Sequence, residues 1–118
     1  MITIFDNSMG NISSVANALQ KLDVDFTISK HKKEIIKAKS IIFPGVGAFP
    51  QAVENLKKSS MLQTLKKILI EKETPFLGIC LGMQILFERS DEMKPTNGLG
   101  ILQGSVKKIK KHQDFLVP

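Results

Sequence analysis

Apolar positions along the chain switch between two spacings, and the switches predict the order of elements. Met1–Asp6 is a short, nearly continuous apolar run of the kind that forms a buried strand, and Asn7–Gly10 has the composition of a turn. Ile12, Val15, Ala16, Leu19 and Leu22 then recur three or four residues apart, which puts them on one stripe of a helix. Asp25–Ser29 alternates like a second strand, and a basic helix is expected around His31–Lys37. Ser40–Phe43 reads as a third strand, stopped by Pro44-Gly45-Val46-Gly47. Helices are expected over Pro50–Lys57 and Ser60–Lys72, the second carrying Met61, Leu62, Leu65, Ile68 and Leu69 on its inner face. Pro75–Ile79 is a fourth strand and Leu81–Arg89 the next helix. Pro95–Gly100 is a loop, and Ile101–Ile109 is expected to form a hairpin or two short strands.

Strand and helix alternate almost throughout, which implies the α/β class: an open, mostly parallel sheet with helices on both faces, around a flavodoxin-like core. In such sheets ligand sites gather at the C-terminal ends of the strands. Three turns fall there: Asn7–Asn11, Pro44–Gly47 and Gly78–Gly82. One domain accommodates all 118 residues, with no repeat or linker. The final residues, Phe115-Leu116-Val117-Pro118, are apolar with no polar tail, so residues 1–118 are expected to be the N-terminal portion of a domain whose C-terminal part is missing.

Composition narrows the chemistry. No stretch approaches the ~18 apolar residues of a membrane span. The first residues carry no basic leader, so a cytoplasmic setting is expected. A single cysteine excludes an internal disulfide framework and a multi-cysteine metal site; no metal and no cofactor are expected. The formal charge of +6 raises nucleic acid or an acidic membrane as partners. Yet the lysines are spread along the chain, and the one local cluster, Lys107, Lys108, Lys110 and Lys111, suits the solvated face or edge of a strand. With no Trp or Tyr to stack on bases, neither nucleic acid nor membrane is the expected partner.

The one cysteine lies in Gly78-Ile79-Cys80-Leu81-Gly82, which has the G-x-C-x-G form of a nucleophile elbow between a strand and a helix. Two glycines relieve the crowding of a sharp strand-to-helix turn. A cysteine there meets the helix N-terminus, which favours the thiolate, and the Leu81 N–H can bind an oxyanion. In isolation the pentapeptide fits a small core cysteine better. Its surroundings shift the balance. Gln84 lies one helical turn after Cys80, where its amide can face the same pocket. Pro44-Gly45-Val46-Gly47 sits at the end of the preceding strand, where glycines allow close approach of a ligand and a second oxyanion donor.

Together these residues resemble the class I glutamine amidotransferase family. The resemblance rests on Pro44-Gly45-Val46-Gly47-Ala48-Phe49 and on Pro75 through Gln84, with Asp6, Met9-Gly10-Asn11 and Gly98-Leu99-Gly100 in support. In particular the motifs resemble glutaminase subunits of imidazole glycerol phosphate synthases, over all 118 residues but only about the first three-fifths of such a domain. The resemblance implies that Cys80 attacks the side-chain amide of glutamine while the Val46 and Leu81 N–H groups hold the oxyanion. Ammonia leaves, and water hydrolyses the glutamyl thioester. It also implies that Gly47, Gln84 and Glu92 hold the glutamine, and that Gly10 and Asn11 lie near a (β/α)8-barrel cyclase subunit. That partner would take the ammonia to make imidazole glycerol phosphate in histidine biosynthesis, as a heterodimer.

Two departures stand out. The family usually has Tyr-Gly where this chain has Asn7-Ser8, and the family's catalytic His-x-Glu lies well downstream of the elbow, beyond Pro118. His112-Gln113-Asp114 mimics such a pair but comes directly after the lysine run, and His31 opens a basic helix; both read as surface histidines. Residues 1–118 alone are therefore expected to be inactive. Three other readings remain open at this stage: a paralogous amidotransferase feeding amidination of a surface sugar, a DJ-1/PfpI-like cysteine protein, and a non-catalytic remnant that binds the barrel.

Overall fold

The computed structural model describes residues 1–110. The first strand, β1 (Ile2–Phe5), is buried and leads through the Asp6–Asn11 turn into α1 (Ile12–Lys21). Asn11 caps that helix, its side-chain oxygen accepting from Ser14 N–H at 3.3 Å. β2 (Phe26–Ser29), α2 (Lys32–Lys37) and β3 (Ile41–Gly45) follow, then α3 (Phe49–Lys58) and α4 (Met61–Ile70), then β4 (Phe76–Cys80). Pro50 opens α3, where its missing N–H leaves no bond unmade, and Ser60, in the left-handed region at φ 57°, turns the chain between α3 and α4.

The four strands form one parallel sheet in the order β2-β1-β3-β4. Chain order runs outward from β1 to β2 and then crosses to β3, the switch that defines a doubly wound sheet of flavodoxin type. Alternation along the strands serves both faces. Ile4 and Ile42 point to α1 and pack with Leu19, Val15 and Ile12. Phe5, Ile41 and Phe43 point the other way, into a larger core with Ile35 of α2, Phe49, Val53 and Leu56 of α3, and Met61, Leu65 and Ile68 of α4. Phe5 and Phe43 meet edge to face there, ring centroids 4.8 Å apart. The expected α/β sheet with helices on both faces is the observed one.

Past β4 the chain departs from expectation. The helix read over Leu81–Arg89 is a single turn, α5 (Leu81–Gln84). Phe87–Ser90 instead forms β5, in a second sheet with β6 (Thr96–Asn97) and β7 (Leu102–Val106), ordered β6-β5-β7. The apolar triplet Ile85-Leu86-Phe87 fits a helix stripe and a strand equally well. Tertiary contacts decide: Leu99 N–H donates to Ile85 O at 2.7 Å and Leu102 N–H to Leu86 O at 2.9 Å, so these carbonyls serve the second sheet. Ile101–Ile109 holds one strand rather than a hairpin, because β7 pairs in parallel with β5. Lys107, Lys108 and Lys110 follow β7 as exposed residues rather than lining a strand edge. Lys111 and the His112-Gln113-Asp114 triplet lie outside the described residues.

Candidate active site

The three turns singled out in the sequence converge at one end of the parallel sheet. Gly45 of β3 stands in register with Cys80 of β4, so the Pro44–Gly47 turn and the elbow leave the sheet side by side, about 4.8 Å apart. The Asp6–Asn11 turn reaches across to them. A side chain at Gly10 would overlap the Pro44 carbonyl, and Met9 O accepts a hydrogen bond from Val46 N–H.

Cys80 has φ 53° and ψ −116°, a backbone conformation that non-glycine residues rarely take and that costs of order 1–3 kcal/mol. It persists because the surrounding backbone is fixed. A Cβ on Gly78 would collide with the Gly82 carbonyl and Met83 Cα, and one on Gly82 would run into the carbonyl oxygen of Phe43. The elbow is thus pressed against β3 with no room for a side chain on either glycine. Leu81 and Ile85, 3% and 0% exposed, anchor the far side of the turn in the core. The thiol itself is exposed.

The candidate residues divide into those the fold gathers and those it leaves apart. Cys80 heads α5, and the leading N–H groups of a helix have no acceptor within it, which leaves Leu81 N–H suited to an oxyanion. Because α5 is one turn long, few peptide dipoles align behind Cys80, and the helix-dipole contribution expected from a longer helix is correspondingly small. Val46 lies next to Gly45, but its N–H is engaged by Met9 O; in this conformation it is not open to a ligand. Gly47, at φ 103°, adopts a backbone angle open to glycine, with Met9 Cε 3.2 Å from where a Cβ would stand. Gln84 ends α5, half-buried and one turn from Cys80. Glu92 lies on the exposed turn after β5, its N–H donating to Ser90 Oγ at 3.4 Å; no hydrogen bond or ion pair ties it to the others.

Met9 is the residue that sequence reasoning underused. It figured only as part of a motif, yet its carbonyl holds the Val46 N–H and its methyl flanks Gly47. No local signal announces that, since it depends on two distant turns meeting. Beside them a cavity of about 410 Å³ opens among Asp6, Asn7, Ser8, Lys30, Asn55 and Lys58. It is not lined by Cys80 or by the residues assigned to glutamine.

A strained, exposed cysteine stands on a glycine-tight elbow beside a second glycine turn at the sheet's C-terminal end, the geometry of a strand-to-helix nucleophile elbow. Residues 3–114 match the family described as "Glutamine amidotransferase class-I", and the chain belongs to that family. Among relatives, it is 46% identical over 110 residues to a protein named imidazole glycerol phosphate synthase subunit HisH from Bacillus cereus, covering 93% of this chain and 52% of that protein. The HisH protein of Bacillus cytotoxicus gives the same identity and coverage. A solved structure described as a glutamine amidotransferase superposes with a TM-score of 0.75 at 18% identity, over 91% of this chain and 56% of the other. The chain therefore spans about half the length of the curated relatives it matches. No helix among the described residues is long and apolar enough to cross a membrane.

Proposed function

We propose that this chain carries the nucleophile-bearing part of a glutaminase. The observation that carries the reading is Cys80 at φ 53° on an elbow whose glycines admit no side chain, paired in register with the Gly45 turn. Cys80 Sγ attacks the carboxamide carbon of glutamine. Leu81 N–H, joined by Val46 N–H once it leaves Met9 O, holds the developing oxyanion. The C–N bond breaks with protonation of the nitrogen, ammonia departs, and water then splits the thioester to glutamate and free thiol. Gly47 and Gln84 border this path and suit the amino-acid end of glutamine; Glu92 completes that set only if the turn after β5 approaches the elbow.

A general base for Cys80 is not supplied by the described residues. Their one histidine, His31, stands at the start of α2 just past β2, three strand positions from β4, or about 14 Å. Among the described residues β4 pairs only with β3, so its other edge is open. A strand added at that edge would set its side chains one spacing from Cys80, and we assign the base to such a segment.

The ammonia acceptor in this reading is a (β/α)8-barrel cyclase subunit in histidine biosynthesis, approached through the Gly10–Asn11 turn, with both subunits in the cytoplasm. Support comes from the two HisH relatives, whose names make them subunits of imidazole glycerol phosphate synthase. The test is glutamate release from glutamine by the full-length protein, assayed with a barrel cyclase subunit, against its Cys80→Ala variant. Release that disappears in the variant is expected. Release that persists would remove Cys80 from the chemistry.

A further inference from the structure

The cavity of about 410 Å³ beside the elbow lies at the C-terminal ends of β1 and β2, with the last turn of α3 as its wall. That end of a doubly wound sheet is where ligands bind, and the volume lies in the range of small-molecule sites. Asn7 joins the turn after β1 to α3. Its Nδ2 donates to Ala52 O at 3.4 Å, and its backbone carbonyl accepts from Asn55 Nδ2 at 3.5 Å. Asn55 has its other end engaged as well, Oδ1 accepting from Gln51 Nε2 at 2.9 Å. The Asn7 side-chain oxygen is different. Asn7 is 7% exposed, yet no donor among the described residues reaches that oxygen. None of their buried side-chain N or O atoms is sealed from solvent without a partner, so the Asn7 oxygen opens into the cavity it lines.

Two opposite charges share the cavity. Phe5 and Ser29 are register partners on parallel strands, so Asp6 and Lys30 leave the sheet one strand spacing apart, about 4.8 Å. Among the described residues neither is in an ion pair, with the other or with anything else. One oxygen of Asp6 accepts from Ser8 N–H at 2.9 Å, which leaves the second free. Lys58, the remaining cation of the lining, stands 3.4 Å from Glu54 and is answered there. The cavity thus offers one open carboxylate, one open ammonium and one unused neutral acceptor.

We infer that this cavity binds a small α-amino acid as its zwitterion, the ammonium on Asp6 and the Asn7 oxygen, the carboxylate on Lys30. A simple anion would meet Asp6 with repulsion and leave the Asn7 oxygen without a donor, and a simple cation would meet Lys30. A zwitterion answers all three, with a charge-assisted bond at each pole. The site goes beyond the glutaminase reading, since neither Cys80 nor the residues assigned to glutamine line it.

L-serine is the probe, titrated into the full-length protein and followed through the backbone amide signals of Ser8 and Lys30. Glycerate, which lacks the ammonium, and L-serinamide, which lacks the carboxylate, run alongside. Lys30→Gln and Asp6→Asn each remove one pole, Lys94→Gln removes an exposed charge elsewhere, and unchanged melting curves confirm that each folds. L-serine is expected to shift both signals and to bind about tenfold more tightly than either analogue. Its affinity is expected to fall about tenfold in Lys30→Gln and Asp6→Asn and to hold in Lys94→Gln and Cys80→Ala. No binding by the parent protein, or glycerate or L-serinamide binding as well as L-serine, would overturn the assignment. Loss of binding in Cys80→Ala would overturn it too, by placing the amino acid at the elbow.

Discussion

The elbow end of β3 and β4 and the small sheet β5–β7 are neighbours in sequence and are built on opposite terms. At the elbow, backbone packs on backbone: Gly82 lies against the Phe43 carbonyl, Gly78 against Gly82, and Leu81 and Ile85 close the core behind them. In the small sheet most side chains face water, with Glu88, Arg89, Gln103 and Ser105 exposed, and β6 is two residues long. A strained residue such as Cys80 survives only where its neighbours leave no alternative. The contrast explains why the strained cysteine stands on the first structure and not on the second.

Substitutions that probe this contrast fall in a clear order. Gly82→Ala forces a methyl into the Phe43 carbonyl, so the elbow must lift off β3; a loss above about 4 kcal/mol, or failure to fold, is expected in urea denaturation. Ile85→Ala empties a fully buried position behind the elbow and is expected to lower stability by about 2–5 kcal/mol in the same assay. Cys80→Gly works in the other direction. Relief of the strain at φ 53° outweighs the extra freedom of glycine in the unfolded chain, for a net gain of about 1 kcal/mol, while the thiol is lost. A destabilised Cys80→Gly would contradict the strained-elbow description. Arg89→Ala, on the small sheet, removes an exposed ion pair with Asp91 and is expected to shift stability by less than about 0.5 kcal/mol, an effect that added salt erases.

How far the sequence foretold this depends on whether the cause is local. The parallel sheet was legible because buried runs such as Ile41-Ile42-Phe43 and stripes such as Met61, Leu65 and Ile68 state their period within a few residues. The elbow and the Pro44–Gly47 turn were legible because glycine marks tight backbone in the sequence itself. The small sheet was hidden, since Ile85-Leu86-Phe87 satisfies two periods and only pairing with residues 99–106 chooses between them. The bond from Val46 N–H to Met9 O was hidden too, because it joins turns 37 residues apart.

The most direct test of the central claim is the rate at which a glutamine-analogue electrophile labels Cys80, followed by intact mass with and without L-glutamine. A single adduct, absent in Cys80→Gly and slowed by L-glutamine but not by L-asparagine, is the expected result. Labelling at the rate of a free thiol, indifferent to glutamine, would contradict it and leave Cys80 as an exposed cysteine on a strained turn.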